Sequence, residues 1–331
     1  MRRRRSSAVC RLVAGLTMVV VAGRLAEAQA NPNKPEGATE FLIPTGACSL
    51  GMGQAVAAAA VGSDALWWNP ALIAKGPREL TLHLARGSSV IAETDAAGAF
   101  VFPVRRLGAF AVSFRYINYG TQGAQLDPNN QAGTLDNTNT LIAATFAPII
   151  TDRILGGITY KLLRYQYNCT GSCDTPHNSP QAPAIDLGFA YQVTADSSLW
   201  IGGALRNLGP RFQVKDRDQA DLIPSRADFG AQYTPHLAQL PSEARLRIAA
   251  DVVSYVSGGG GPGFRFGGEL AWQDRYQARA GYVVSGPTGS GPSLGLGVRS
   301  GKLQIDFAQF LSDDAAQAGV TPTFLTLRYI F

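Results

Sequence analysis

The stretch TFLTLRYIF, residues 323–331, places Leu325, Leu327, Tyr329 and Phe331 on one face if it is extended, with Thr326 and Arg328 on the other. The same two-residue period runs through LRIAADV (246–252), FRFGGELAW (264–272) and LQIDF (303–307). Read backward and forward from these, the chain resolves into alternating runs at 79–86, 96–104, 109–119, 139–149, 154–167, 184–193, 198–207, 225–234, 244–254, 264–272, 275–284, 293–299, 303–311 and 322–331. Gly, Pro and Asn clusters separate them, and no helical period is sustained over a normal helix length after residue 30. The fold class is all-β.

Alternation says which residues share a face, not which face is inside. A soluble sandwich buries the apolar set; a transmembrane barrel turns it toward lipid. Connection length bears on the choice. If 322–331 is the last strand and ends on the periplasmic side, the connections sort by side. The external set is 87–95, 120–138, 168–183, 208–224, 255–263, 285–292 and 312–321; the periplasmic set is 105–108, 150–153, 194–197, 235–243, 273–274 and 300–302. All but 235–243 of the second set are short, as expected of an outer-membrane barrel. The polar face carries Arg115, Lys161, Asp186, Arg206, Arg226, Asp228, Arg245, Arg247, Asp251, Arg265, Glu269, Arg275, Arg279, Arg299, Asp306 and Arg328. Each Arg or Lys would cost roughly 2–4 kcal/mol at mid-bilayer, so in a barrel this set lines the lumen. The expectation is a 14-stranded antiparallel transmembrane β-barrel over 79–331, with lipid on its outer face.

The two ends of the chain point the same way. The alternating stretch that finishes at Leu327, Tyr329 and Phe331 resembles the terminal signal read by the outer-membrane insertion machinery. Residues 1–30 hold six arginines, an apolar run over 12–23 and small-x-small sites ending at Ala28 and Ala30, the pattern of a cleaved secretory signal peptide. The apolar run is shorter than the about 20 residues of a spanning helix. Those 30 residues also carry the charge: the remainder holds 23 basic and 23 acidic residues. A neutral mature chain implies no nucleic-acid partner. The expected location is the bacterial outer membrane.

Between leader and first strand lies GMGQAVAAAAVGSDALWWNPALIA, residues 51–74. It is too short and glycine-rich to span a bilayer and too apolar for a linker. A fourteen-stranded barrel is too wide for its own side chains to fill, so 31–78 is read as a periplasmic or lumenal segment that enters the lumen as a plug. A short surface helix is the competing reading. The segment resembles the N-terminal signature of the PorV/PorQ family, FadL-like outer-membrane proteins associated with type IX secretion. That pattern runs Ala-Leu-Gly-Met-Gly-Gly-Ala, an Ala/Val stretch, then Asp-Ala-x-Ala-x-Tyr/Trp-Asn-Pro-Ala. Leu50, Gly51, Met52 and Gly53 match it, as do Asp64, Trp67, Trp68, Asn69, Pro70 and Ala71; Gln54 and Leu72 depart from it. The resemblance implies a fourteen-stranded barrel with an N-terminal hatch.

It also implies two functions. PorV-like proteins handle exported cargo proteins with type IX components; FadL-like proteins pass hydrophobic small molecules. A lumen lined by Arg245, Arg247, Asp251, Arg265, Glu269, Arg279, Asp306 and Arg328 favours the first reading, and the second stays open. An enzyme is not expected: His83, His177 and His236 lie in no nucleophile or metal motif, and no cofactor motif is present. Cys169 and Cys173, in NCTGSC, are placed for a disulfide in an external loop, with free thiols the alternative. Cys48 is expected to pack as a small apolar residue.

Overall fold

The structure, a computed structural model, describes residues 36–87, 94–127, 130–171, 180–212, 220–258, 260–286, 289–313, 319 and 321–331. Fourteen strands form one closed barrel in which each strand pairs antiparallel with its chain neighbours: β1 (Glu79–Arg86), β2 (Thr94–Val104), β3 (Gly108–Asp127), β4 (Asn130–Thr151), β5 (Ile154–Gly171), β6 (Gln181–Gln192), β7 (Leu199–Leu208), β8 (Arg226–Tyr233), β9 (Ala244–Tyr255), β10 (Gly263–Trp272), β11 (Tyr276–Gly286), β12 (Gly289–Ser300), β13 (Leu303–Phe310) and β14 (Thr323–Ile330). β14 closes on β1, Leu80 opposite Tyr329 and Leu84 opposite Leu325. Closure leaves no edge strand.

Burial settles which face is inside. On β1, Glu79, Thr81 and His83 are buried while Leu80, Leu82 and Leu84 are exposed. β10 repeats the inversion, with Arg265 and Glu269 buried and Phe264, Phe266, Leu270 and Trp272 exposed. On β13, Asp306 is fully buried between exposed Ile305 and Phe307. The outside is an apolar surface; the inside holds the charged side chains. A soluble sandwich has the opposite arrangement.

The end where β1 begins is here the near rim, and the other the far rim. Connections at the far rim differ from expectation most at two places, and Cys169, expected in a loop, lies on β5. Residues 120–138 and 285–292 are not loops: β3 runs to Asp127 and β4 starts at Asn130, and β11 runs to Gly286 with β12 starting at Gly289. Their Thr, Gln, Asn and Gly residues pair as strands without an apolar face, so hydropathy alternation does not mark them. His177, Cys173 and the rest of 172–179 lie outside the described residues. Cys169 is disulfide-bonded.

Candidate functional site

Residues 36–74 pack against the inner face of the wall, and 75–78 emerge at the near rim to start β1. They form no long helix, only α1 (Ala47–Gly51), α2 (Ala65–Trp68) and 3-10 turns at Thr39–Leu42, Gly62–Asp64 and Pro70–Lys75. Small side chains and glycines keep each element short, and burial holds them in place. Ala47, Leu50, Ala55, Asp64, Asn69 and Ile73 are all inaccessible. The surface-helix reading of this segment is therefore replaced by a lumenal one.

The sequence packs this way because both surfaces are cut back to backbone. A Cβ on Gly267 of β10 would sit 2.1 Å from the Met52 carbonyl oxygen, and one on Gly281 of β11 would sit 2.2 Å from the Gly53 nitrogen. Gly53 has φ +61 and would strike Phe266 and Tyr282 backbone if substituted. Gly51 abuts Gly295 of β12, and Gly157, Gly188 and Gly202 make the same accommodation for Ala71, Asn69 and Ala57. Met52 joins Leu50, Val56, Trp68 and Ile73 in one apolar cluster with wall alanines and valines.

The remaining contacts are polar. Asp64 accepts from Arg328 at 3.0 Å and from the Ser49 hydroxyl at 3.1 Å. Asp251 of β9 accepts the Ala57 N–H at 2.8 Å, and Ser293 accepts that of Gly53 at 3.0 Å. Asn69 donates to the carbonyls of Ala57 and Phe189 while its oxygen caps the turn that Pro70 opens. The Trp68 indole donates to the Thr45 carbonyl, and its ring lies under two guanidiniums, Arg206 at 5.2 Å and Arg265 at 5.4 Å. Asp228 pairs with both arginines. The Trp67 carbonyl accepts from Arg206. Burial on α1 pushes the Cys48 thiol up to about 12.

The wall charges form a chain from strand to strand: Glu79, Arg328, Asp306, Arg279, Glu269 and Arg247. Arg279 reaches Asp306 at 2.7 Å across β12, where Gly297 leaves the room. Unpaired charges in such a space would carry large desolvation costs; alternating signs remove most of that penalty. Five of the eight named lumen charges belong to this chain, and Asp251 and Arg265 are buried on the same wall beside it. Arg245 stands apart: it is exposed at the near rim and pairs with Asp274 of the adjoining turn. Arg275 and Arg299 are exposed there too, because alternation continues past the point where the barrel stops enclosing anything.

Several charges were not legible beforehand. Asp95, which binds Arg115, lies one residue outside the run at 96–104. Glu79 opens the run at 79–86, on the same face as Thr81 and His83, and belongs with the inward charges though it is not named among them. Glu36 and Glu40 belong to no periodic run; they meet Arg226 and the Tyr119, Asn139 and Tyr165 side chains near the far rim.

One sector of the wall is different. Leu141, Ala143, Leu163, Tyr165, Ala182 and Ala184 on β4–β6 form an apolar cluster with Phe41 of the segment and Phe212 and Ile223 of the β7–β8 connection. Beside it a void of about 20 Å³ is lined by Phe41, Trp67, Trp68 and Leu141 together with Glu40, Arg115, Lys161 and Arg206. At the other end, Tyr329 and Phe331 face outward in the β14–β1 seam, with Leu327 half-buried, and the Arg78 guanidinium lies over the Phe331 ring. His83 is buried on β1 with Nδ1 2.9 Å from the Thr326 hydroxyl; His236 is exposed. No metal-capable cluster of three His, Cys, Asp or Glu exists among the described residues.

A filled, closed fourteen-stranded barrel has clear counterparts among solved structures. The Ralstonia pickettii toluene transporter TbuX superposes with a TM-score of 0.60 over 88% of this chain and 99% of its own, at 15% identity. The fold is that of the FadL-type outer-membrane barrels. The P. putida toluene transporter TodX gives 0.58 over the same 88% of this chain and 99% of its own at 13% identity. A Pseudomonas aeruginosa FadL homologue gives 0.51 over 88% and 99%, also at 13%. No protein-family model matches the chain, and no curated protein matches it.

Proposed function

We propose that this chain is an outer-membrane channel of FadL type for hydrophobic small molecules, with residues 36–78 as its hatch. The near rim is then periplasmic, the far rim external and the outward apolar surface lipid-facing. The observation that carries this reading is the apolar sector on β4–β6. The wall arc from β9 through β14 to β1 carries a chain of ion pairs, so an apolar solute entering from outside would meet a compatible surface at that sector. The toluene transporters of the same fold support the assignment. Passage needs the hatch to shift, since the void beside this sector holds a single water at most. The test is uptake of an apolar fluorescent dye by vesicles containing the reconstituted barrel. Uptake should exceed that of empty vesicles and fall when Phe41→Asp places a charge in the sector. Uptake equal to empty vesicles removes the channel reading.

A second reading, handling of exported cargo proteins with type IX components, rests on the Leu50–Ala71 motif and on the ion pairs that fill the lumen. Copurification of such components from native outer membrane would favour it. In either case Leu327, Tyr329 and Phe331 are proposed to be read by the barrel insertion machinery.

A further inference from the structure

β3 and β5 do not stop where their neighbours do. β2 begins at Thr94 opposite Asn118, whereas β3 continues to Asp127; β6 begins at Gln181 opposite Arg164, whereas β5 continues to Gly171. With β4 between them they make a three-stranded sheet standing beyond the far rim. Its outward face continues the apolar face of the same strands. Val112, Phe114, Ile142 and Tyr160 are exposed lower down, and polar residues replace them within a few positions on each strand.

A bulge shapes the polar part. Asn118 stands opposite Thr138 and Thr121 opposite Asp136, so Tyr119 and Gly120 of β3 are set against the single residue Asn137. Gly120, at φ +70, donates its N–H to the Asn118 side chain at 2.9 Å. The kink sends Tyr119 inward to Glu40 and keeps Thr121 on the outward face, where its hydroxyl donates to Asp136. The product is an open recess of about 460 Å³ lined by Asn118, Gly120, Thr121, Asp136, Thr138 and Asn168.

This lining has two carboxamides, two hydroxyls and one carboxylate. It has no Lys or Arg to hold a phosphate and no apolar side chain to hold an acyl chain. Mixed donors and acceptors of this kind match a polyhydroxylated ligand. The height of the recess, directly above an apolar band on the same strands, is that of a lipid headgroup. We infer that the recess receives the sugar headgroup of a glycolipid in the outer leaflet. This rests on the membrane placement proposed above but not on the conduit role.

The test uses the full barrel in detergent, incubated with rough-type lipopolysaccharide, with retained lipid measured by native mass spectrometry. Phosphatidylglycerol and deacylated core oligosaccharide serve as comparison probes. The wild type should retain the lipopolysaccharide in preference to both. The double substitution Thr138→Val and Asn168→Leu removes two polar groups and should lower retention about five- to tenfold or more, with heat-modifiable migration and dye uptake unchanged. Thr138→Val alone replaces it if the double variant fails to assemble. Equal retention of phosphatidylglycerol, oligosaccharide binding as tight as the whole lipid, or undiminished retention by the variant would each overturn the assignment. Loss of dye uptake by the wild type with glycolipid retention intact would sink only the channel.

Discussion

Gly267 and Gly268 are adjacent on β10, and substituting each by alanine separates the two faces of the wall. On Gly268 a Cβ has nothing nearer than the Arg247 carbonyl at 3.9 Å. On Gly267 it would stand 2.1 Å from the Met52 carbonyl oxygen, where 3.0 Å is the practical lower limit, so backbone must move by about 0.9 Å. Overpacking of this kind costs about 1–3 kcal/mol. The strain lies between hatch and wall, so it is relieved when the hatch detaches. Gly267→Ala should therefore raise the detached fraction about fivefold to somewhat over a hundredfold. Cys48 reports that fraction without an added probe. It is buried on α1, and burial pushes its thiol up to about 12, so it reacts only when the hatch leaves the wall. The assay is the rate of maleimide labelling of Cys48 in folded barrels, with Cys169 and Cys173 replaced by serine. Gly268→Ala should label at the parental rate and Gly267→Ala faster by the factor above. Equal rates for the two variants would refute the close apposition of Met52 and β10.

Asp64→Asn keeps the size of the side chain but leaves Arg328 short of a buried anion; breaking such a pair costs about 3–5 kcal/mol, and the temperature of heat-modifiable migration should fall, whereas the exposed Arg245→Gln should leave it in place. Deleting Phe331 should lower the amount of barrel recovered in outer membranes while synthesis, followed by pulse labelling, stays constant. Deleting 51–74 should still allow insertion but raise single-channel conductance in planar bilayers, because the lumen loses its filling; conductance unchanged from wild type would mean the segment blocks nothing.

The strand content and the number of strands follow from local pattern. Leu303, Ile305 and Phe307 alternate with Gln304 and Asp306 whatever surrounds them, and fourteen such runs are countable because half of each contributes to one apolar outer surface. The same reasoning explains the failures. Residues 120–127 of β3 and 130–138 of β4 pair as strands, but their sequence is mostly Thr, Gln, Asn, Asp, Gly and Ala, so no hydropathy contrast betrays them. Arg245 alternates in step with Arg247 and Asp251 yet stands outside the enclosed region, because period tells direction and not height.

The sequence by itself determined the all-β class, the inward turn of the charged face once lipid is assumed outside, and the small-residue character of 51–74. Only the tertiary structure decided that this segment lies in the lumen, that Asp64 meets Arg328 across 264 residues, and that Trp68 lies under Arg206 and Arg265. Those pairings join positions with no shared period, so nothing local to either residue encodes them. They exist because closing fourteen strands leaves a space of fixed width, which the wall glycines and one glycine- and alanine-rich segment fill together.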